Sequence, residues 1–306
     1  MNDGSDHKAE ANRHHYLAIG LSLVVTLIWS STFVIVKIGL ETLGPLTIAG
    51  LRYFIGALVL LPFMLFQKTE RKPITNNLWM RMILIGISSY TVANGALFWG
   101  LKFLPATTGS FLLSFIPLFV LAGGAVFLKE IPTRWQIFGI FLSLIGSGLF
   151  FSPGLAAGEP KGMMIVGIGL FGFMSFVLLG RGIAREKELD TLTLTTMPLF
   201  IGGMVTIVLA IILEGLPNFT QTGIFVVVWL AVINTAIGYL LYNHALRDLT
   251  ALEMNTIMNL SPLITALLSW IILNEKLESI QLLGMIVVIV GVIFVQRANF
   301  SNHMKG

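Results

Sequence analysis

The sequence predicts an all-α integral membrane protein of ten transmembrane helices, arranged as two inverted five-helix repeats with both termini cytoplasmic. Three observations predict it. Hydrophobic residues fill 56% of 306 positions and charged residues only 11%, less than half the roughly 25% that wets a soluble domain. The apolar residues gather into runs that are apolar on all sides, not along one stripe, and that are long enough to cross a bilayer at roughly 20 residues each. The chain also resembles itself at an offset of 145 residues.

The runs fall at about 16–38, 45–66, 78–101, 105–128, 134–152, 162–182, 191–213, 221–246, 250–273 and 278–296. Short connections separate them, each carrying a charge, a Pro or a Gly. Residues 1–15 are polar, with Asp3, Asp6 and Glu10 opposing Lys8 and Arg13. That is a poor signal-peptide start, so the first run reads as a retained helix after a cytoplasmic tail. Residues 297–306 form the second tail.

Orientation follows from the basic residues. With the N-terminus inside, fourteen Lys and Arg fall on the cytoplasmic side, from Lys8 and Arg13 through Arg185 and Lys187 to Arg297 and Lys305. Only four, Lys37, Lys102, Lys161 and Lys276, fall outside. The positive-inside rule favours that orientation. It also absorbs the net charge of +4, which needs no nucleic-acid partner. There are no cysteines, which excludes disulfides, thiolate metal sites and cysteine nucleophiles.

The offset places Leu101, Leu104, Ala106, Pro117, Leu118, Leu128, Glu130, Gln136, Gly139 and Gly146 on identical residues between Leu246 and Gly291. The repeats thus run 16–152 and 161–296. Five helices is an odd number, so the second copy must run opposite to the first. Inverted repeats are the recurring plan of secondary transporters, with a substrate site at the repeat interface near the midplane. The expectation is a secondary transporter of small metabolites working by alternating access.

Particular stretches sharpen this. Trp29-Ser30-Ser31-Thr32-Phe33-Val34-Ile35-Val36-Lys37 and Leu51-Arg52-Tyr53-Phe54-Ile55-Gly56-Ala57 resemble the first two helices of the EamA family in the drug/metabolite transporter superfamily. Thr235 to Leu246 resembles its eighth helix, and Ser261-Pro262-Leu263 running into Leu273-Asn274-Glu275 its ninth. The resemblance covers residues 16 to 296; Leu128-Lys129-Glu130 departs from it, where members often carry Gly before the Glu. It implies ten helices, a multi-pass place in the inner or plasma membrane, and export of small metabolites such as amino acids. Multidrug or toxic-compound efflux is the alternative within the same family.

Polar groups at membrane depth are the candidate cargo contacts, because each is costly in hydrocarbon unless it faces the bundle interior. Ser110 and Ser114 lie four apart, on one helix face, with Pro117 beyond; the offset pairs them with Asn255, Asn259 and Pro262. Tyr90 and Asn94 pair with Thr235 and Tyr239, and Phe98 pairs with Asn243. Trp29 and Ser30 stand opposite Met174 and Ser175. For each, the competing reading is packing or a bond to its own helix. Pro117 and Pro262 are candidate kinks for gating. Lys37, four residues before Glu41, suits a local ion pair, and Arg52 sits about two turns into the second helix. Both read as snorkelling or fixed pairs, or as attractors of a carboxylate on its way out. Gly139, Gly146, Gly284 and Gly291 read as close helix contact.

No Asp or Glu falls clearly inside a run; Glu130 and Glu275 read as caps of the fourth and ninth helices. The proton exchange of small multidrug resistance proteins uses a membrane-embedded Glu in the first helix, and this first helix has none. A membrane enzyme, the remote alternative, would need a constellation such as paired acids or His-Glu-x-x-His. None is present, and of five histidines only His244 lies outside the tails. The reading calls for no cofactor, no metal and no nucleic acid; the partners are a small-molecule substrate and the lipid bilayer, with the chain a monomer or homodimer.

Overall fold

Helices form where the apolar runs lie, because in hydrocarbon a helix satisfies its own backbone groups. The computed structural model describes residues 3–67, 74–127, 133–152, 157–186, 190–245, 249, 254 and 257–303. The described residues contain helices and no strands. In chain order they are α1 (Asp3–Gly39), α2 (Pro45–Phe66) and α3 (Asn76–Ile85, a π-helical stretch Gly86–Ala93, then Asn94–Gly100). Then come α4 (Ala106–Leu113 and Ile116–Phe127), α5 (Arg134–Phe151) and α6 (Pro160–Glu186). The rest are α7 (Thr191–Glu214), α8 (Gln221–Trp229, a π-helical stretch Leu230–Ile237, then Gly238–Ala245), α9 (Ser261–Leu273) and α10 (Ser279–His303).

Among the described residues, seven helices are long and apolar enough to cross a membrane: those in α1, α2, α3, α4, α5, α7 and α8. The apolar parts of α6, α9 and α10 are shorter. The burial pattern names the solvent. Ser22, Thr26, Ser30, Arg52, Asn234 and Thr265 are buried, while Phe63, Phe66, Phe141, Met164 and Ile212 are exposed. A polar interior behind an apolar surface is stable only in lipid. The chain is a multi-pass membrane protein. Its first helix begins at Asp3, ahead of the apolar run, and its last continues to His303.

Two helix pairs are drawn together by glycine. Between α5 and α10, a Cβ on Gly146 would stand 2.7 Å from the Gly284 carbonyl, and one on Gly291 would stand 2.7 Å from the Gly139 carbonyl. Between α2 and α7, a Cβ on Gly50 would stand 2.8 Å from the Ile207 amide. Small residues let backbones approach where lipid supplies no hydrophobic drive for association. The expected role of Gly139, Gly146, Gly284 and Gly291 as close contacts is the one observed. Around these pairs α1 packs on α4, α8 and α9, and α3 on α2, α6 and α7.

Several devices recur near the 145-residue offset. Gln136 accepts the Thr133 amide in a capping box at the start of α5, and Gln281 accepts the Glu278 amide at 3.0 Å at the start of α10. The π-helical stretches of α3 and α8 recur as well. So do two breaks in the helices. A turn at Ser114 and Phe115 interrupts α4 before Pro117, and a turn at Asn259 and Leu260 precedes Pro262 in the first turn of α9. Proline is tolerated in a first helical turn, where its missing N–H is not needed.

Candidate functional site

Four of the five tyrosines, Tyr53, Tyr90, Tyr239 and Tyr242, gather in one cluster with Trp29. The rings of Tyr53 on α2 and Tyr90 on α3 lie 4.9 Å apart. The Tyr90 and Tyr239 side chains hydrogen-bond, joining α3 to α8. Trp29 on α1 then packs between Tyr239, at 5.4 Å, and Tyr242, at 5.2 Å. Its indole N–H donates to the Asn234 carbonyl at 3.0 Å.

Arg52 stands at one end of this cluster. It is 5% exposed, and its Nε donates to Thr235 Oγ1 at 2.9 Å. The guanidinium carbon lies 5.0 Å from the Tyr53 ring and 5.7 Å from the Phe98 ring. Snorkelling does not describe it, because the cation points into the bundle. Thr235 sits on the π-helical stretch of α8, where its hydroxyl donates to Leu230 O, five residues back, at 2.9 Å. The wider π turn frees that carbonyl, and π-bulges often sit at functional sites. Asn94 plays the matching part on α3, its Nδ2 donating to Ser89 O at 2.8 Å.

Other candidates are used in packing. Ser30 Oγ bonds Ser261 Oγ at 2.9 Å, and Thr265 Oγ1 bonds Ser110 Oγ at 3.0 Å and Ser30 O at 3.3 Å, tying α1, α4 and α9. Ser114 Oγ donates to Phe111 O at 2.6 Å, on its own helix. Asn259 is buried. Asn255 lies outside the described residues, and Asn243 and Pro117 are described by backbone alone.

Two sequence expectations are corrected. Lys37 Nζ donates to the carbonyls of Leu101 at 3.1 Å and Leu104 at 3.0 Å, at the end of α3, and Glu41 is exposed. Carbonyls left free at a helix C-terminus attract a cation, and here they hold the ammonium in place of Glu41. Glu275 caps not its own helix but the start of α4, accepting from the Ala106 amide at 2.9 Å.

Sequence reasoning missed Tyr53, Tyr242, Glu214 and Asn234. Asn234 Nδ2 reaches Ile28 O, Ser31 Oγ and Thr32 Oγ1, so it stitches α8 to α1. The concentration of tyrosine within apolar runs is the signal that could have found the aromatic members. A cavity of about 840 Å³ opens further along the same helices, lined by Pro62, Phe66, Asp190, Leu240, Leu241 and His244. Leu240, in its lining, follows Tyr239 directly on α8. Among the described residues, no group of three or more His, Cys, Asp or Glu could hold a metal ion.

A family model, the EamA-like transporter family, matches this chain twice, at residues 16–152 and 161–297. The chain belongs to that family. It is 25% identical over 288 residues to an uncharacterized transporter of Archaeoglobus fulgidus, covering 92% of this chain and 96% of that one. It is 26% identical over 285 residues to a probable amino-acid metabolite efflux pump of Salmonella typhimurium, covering 89% and 92%. The uncharacterized inner membrane transporter YedA of Escherichia coli is 25% identical over 287 residues, covering 92% and 91%. One solved crystal structure shares the fold at a TM-score of 0.66 with 15% identity, over 92% of this chain and 98% of its own. The cluster draws on both matched segments: Trp29, Arg52, Tyr53 and Tyr90 on one, Thr235, Tyr239 and Tyr242 on the other.

Proposed function

We propose that this EamA-family member exports small metabolites such as amino acids, by alternating access between two inverted five-helix repeats at 16–152 and 161–296, with all ten helices crossing the inner or plasma membrane. The observation that carries the reading is the aromatic and polar cluster at the seam between the two matched segments. Such a seam is where secondary transporters bind cargo. Rocking one repeat against the other exposes it to each side in turn. The recurring glutamine caps, helix breaks and π stretches support equivalent halves. The relative named as a probable amino-acid metabolite efflux pump supports the cargo class.

The test is transport in everted membrane vesicles holding the full chain, scored over a panel of labelled amino acids and lipophilic cations. Accumulation of one or more amino acids above empty vesicles is expected. Movement of lipophilic cations alone selects multidrug efflux, the reading that the apolar lining by Phe63, Phe66 and Leu240 favours. No movement of any panel member sinks both.

A further inference from the structure

The best-buried cation among the described residues has no anionic partner there. Arg52 lies seven residues after Pro45, about 10 Å into α2 at 1.5 Å per residue. A guanidinium stays charged at any physiological pH, so burial cannot be relieved by deprotonation. Charges at this depth face the bundle interior and are paired, or they mark a ligand pathway.

The carboxylates whose side chains are described are accounted for elsewhere. Glu214 holds the Leu46 and Thr47 amides, Glu275 the Ala106 and Thr107 amides, and Asp190 the Thr193 amide and hydroxyl. Glu41, Glu159 and Glu278 are exposed. The groups described around Arg52 are neutral: the Thr235 hydroxyl on Nε, the faces of Tyr53 and Phe98, and the hydroxyls of Tyr53, Tyr90 and Tyr239, all near enough to feel its charge. The Thr235 bond occupies Nε. The two terminal nitrogens keep the planar fork that matches a carboxylate by two parallel bonds.

We propose that Arg52 is the carboxylate-binding residue of the transported substrate, with Thr235 as the positioning residue that sets the plane of its guanidinium. This rests on the transport reading above and names the cargo class within it: a monoanionic carboxylate carrying an apolar or aromatic body. The charge count selects a carboxylate over a phosphate. One cation neutralises one charge, and the other described cation nearby in the fold, Lys37, is already held by the Leu101 and Leu104 carbonyls. The aromatic body follows from the Tyr53 and Phe98 rings beside the guanidinium and from the Tyr90, Tyr239 and Trp29 rings that continue the cluster, which offer edge-to-face and offset partners. The 840 Å³ cavity lies further along α2 and α8, and Leu240 of its lining adjoins Tyr239 in sequence.

The test uses purified full chain in proteoliposomes and four probes of one shape: L-phenylalanine, 3-phenylpropionate, phenethylamine and L-phenylalaninamide. The wild type is expected to move the two carboxylates at least tenfold faster than the amine and the amide. Arg52→Gln is expected to lose that preference, and Arg52→Lys to keep the charge yet recover only part of the rate. Because a buried substitution can unfold the chain, the wild-type comparison stands alone as a test. Equal movement of phenethylamine and 3-phenylpropionate by the wild type overturns the carboxylate assignment and leaves transport standing. An Arg52→Gln protein that is folded by size exclusion and keeps the wild-type preference overturns it too. Liposomes that move none of these probes, nor any of the wider panel, overturn the transport reading with it.

Discussion

Glu275, just past α9, accepts both the backbone N–H and the hydroxyl of Thr107, each at 3.3 Å, at the first turn of α4. Glu214, at the end of α7, treats Thr47 at the start of α2 the same way, at 2.9 and 2.8 Å. Each carboxylate thus occupies unsatisfied donors of a distant helix, at the end where the dipole favours an anion. Both acids come from the second matched segment and both helix starts from the first. In the predicted orientation all four sit on the outer face. Glu214→Gln and Glu275→Gln are each expected to lower stability by about 1–2 kcal/mol. Thermal unfolding in detergent measures it, and a midpoint equal to the wild type refutes the cap.

If the outer face opens during transport, these two contacts are the latches that must part. The chain has no cysteine, so a single introduced cysteine reports accessibility without background. With Tyr53→Cys as the reporter, Glu214→Gln and Glu275→Gln together are expected to raise labelling by a membrane-impermeant reagent applied outside by severalfold. Unchanged labelling means the latches are static caps.

Gly146 and Gly148 separate packing from composition. A Cβ at Gly146 meets the Gly284 carbonyl and the Val288 amide, both at 2.7 Å, whereas one at Gly148 meets nothing within 4 Å. Gly146→Val is expected to abolish or halve the yield of monodisperse protein, since neither contact is the end of a flexible side chain. Gly148→Val is expected to leave it near wild type. Size-exclusion chromatography of the two side by side decides it.

Most helix positions and the Gly139, Gly146, Gly284 and Gly291 seam were legible because each is local or repeats at a fixed offset. Gly146, Gln136 and Pro117 announce their counterparts Gly291, Gln281 and Pro262 in the sequence itself. The partner of a polar side chain was not legible, because it is set by how distant helices pack. Lys37 lies four residues from Glu41, yet the carbonyls it holds are 64 and 67 residues away. Asn94 reads as a cavity residue until the π stretch leaves Ser89 O for it to bind. Tyr53 reads as ordinary packing until α2 meets α3 and its ring comes within 4.9 Å of Tyr90.

Thr235 links the site to the fold, and its substitution separates the two roles. Its hydroxyl gives its hydrogen to Leu230 O and receives one from Arg52 Nε, so removing it leaves a buried N–H of a charged group without an acceptor. Losing such a bond costs about 1.5–3 kcal/mol. Thr235→Val keeps the shape and removes the oxygen; Thr235→Ser keeps the oxygen and loses a methyl. If Thr235 orients the guanidinium, Thr235→Val should raise the KM for a carboxylate probe by roughly tenfold, the factor that 1.4 kcal/mol represents, while Thr235→Ser restores it. A purely structural role predicts another pattern: Thr235→Val would lower thermal stability, and the folded fraction would keep its KM. Transport kinetics and unfolding on the same three preparations tell these apart.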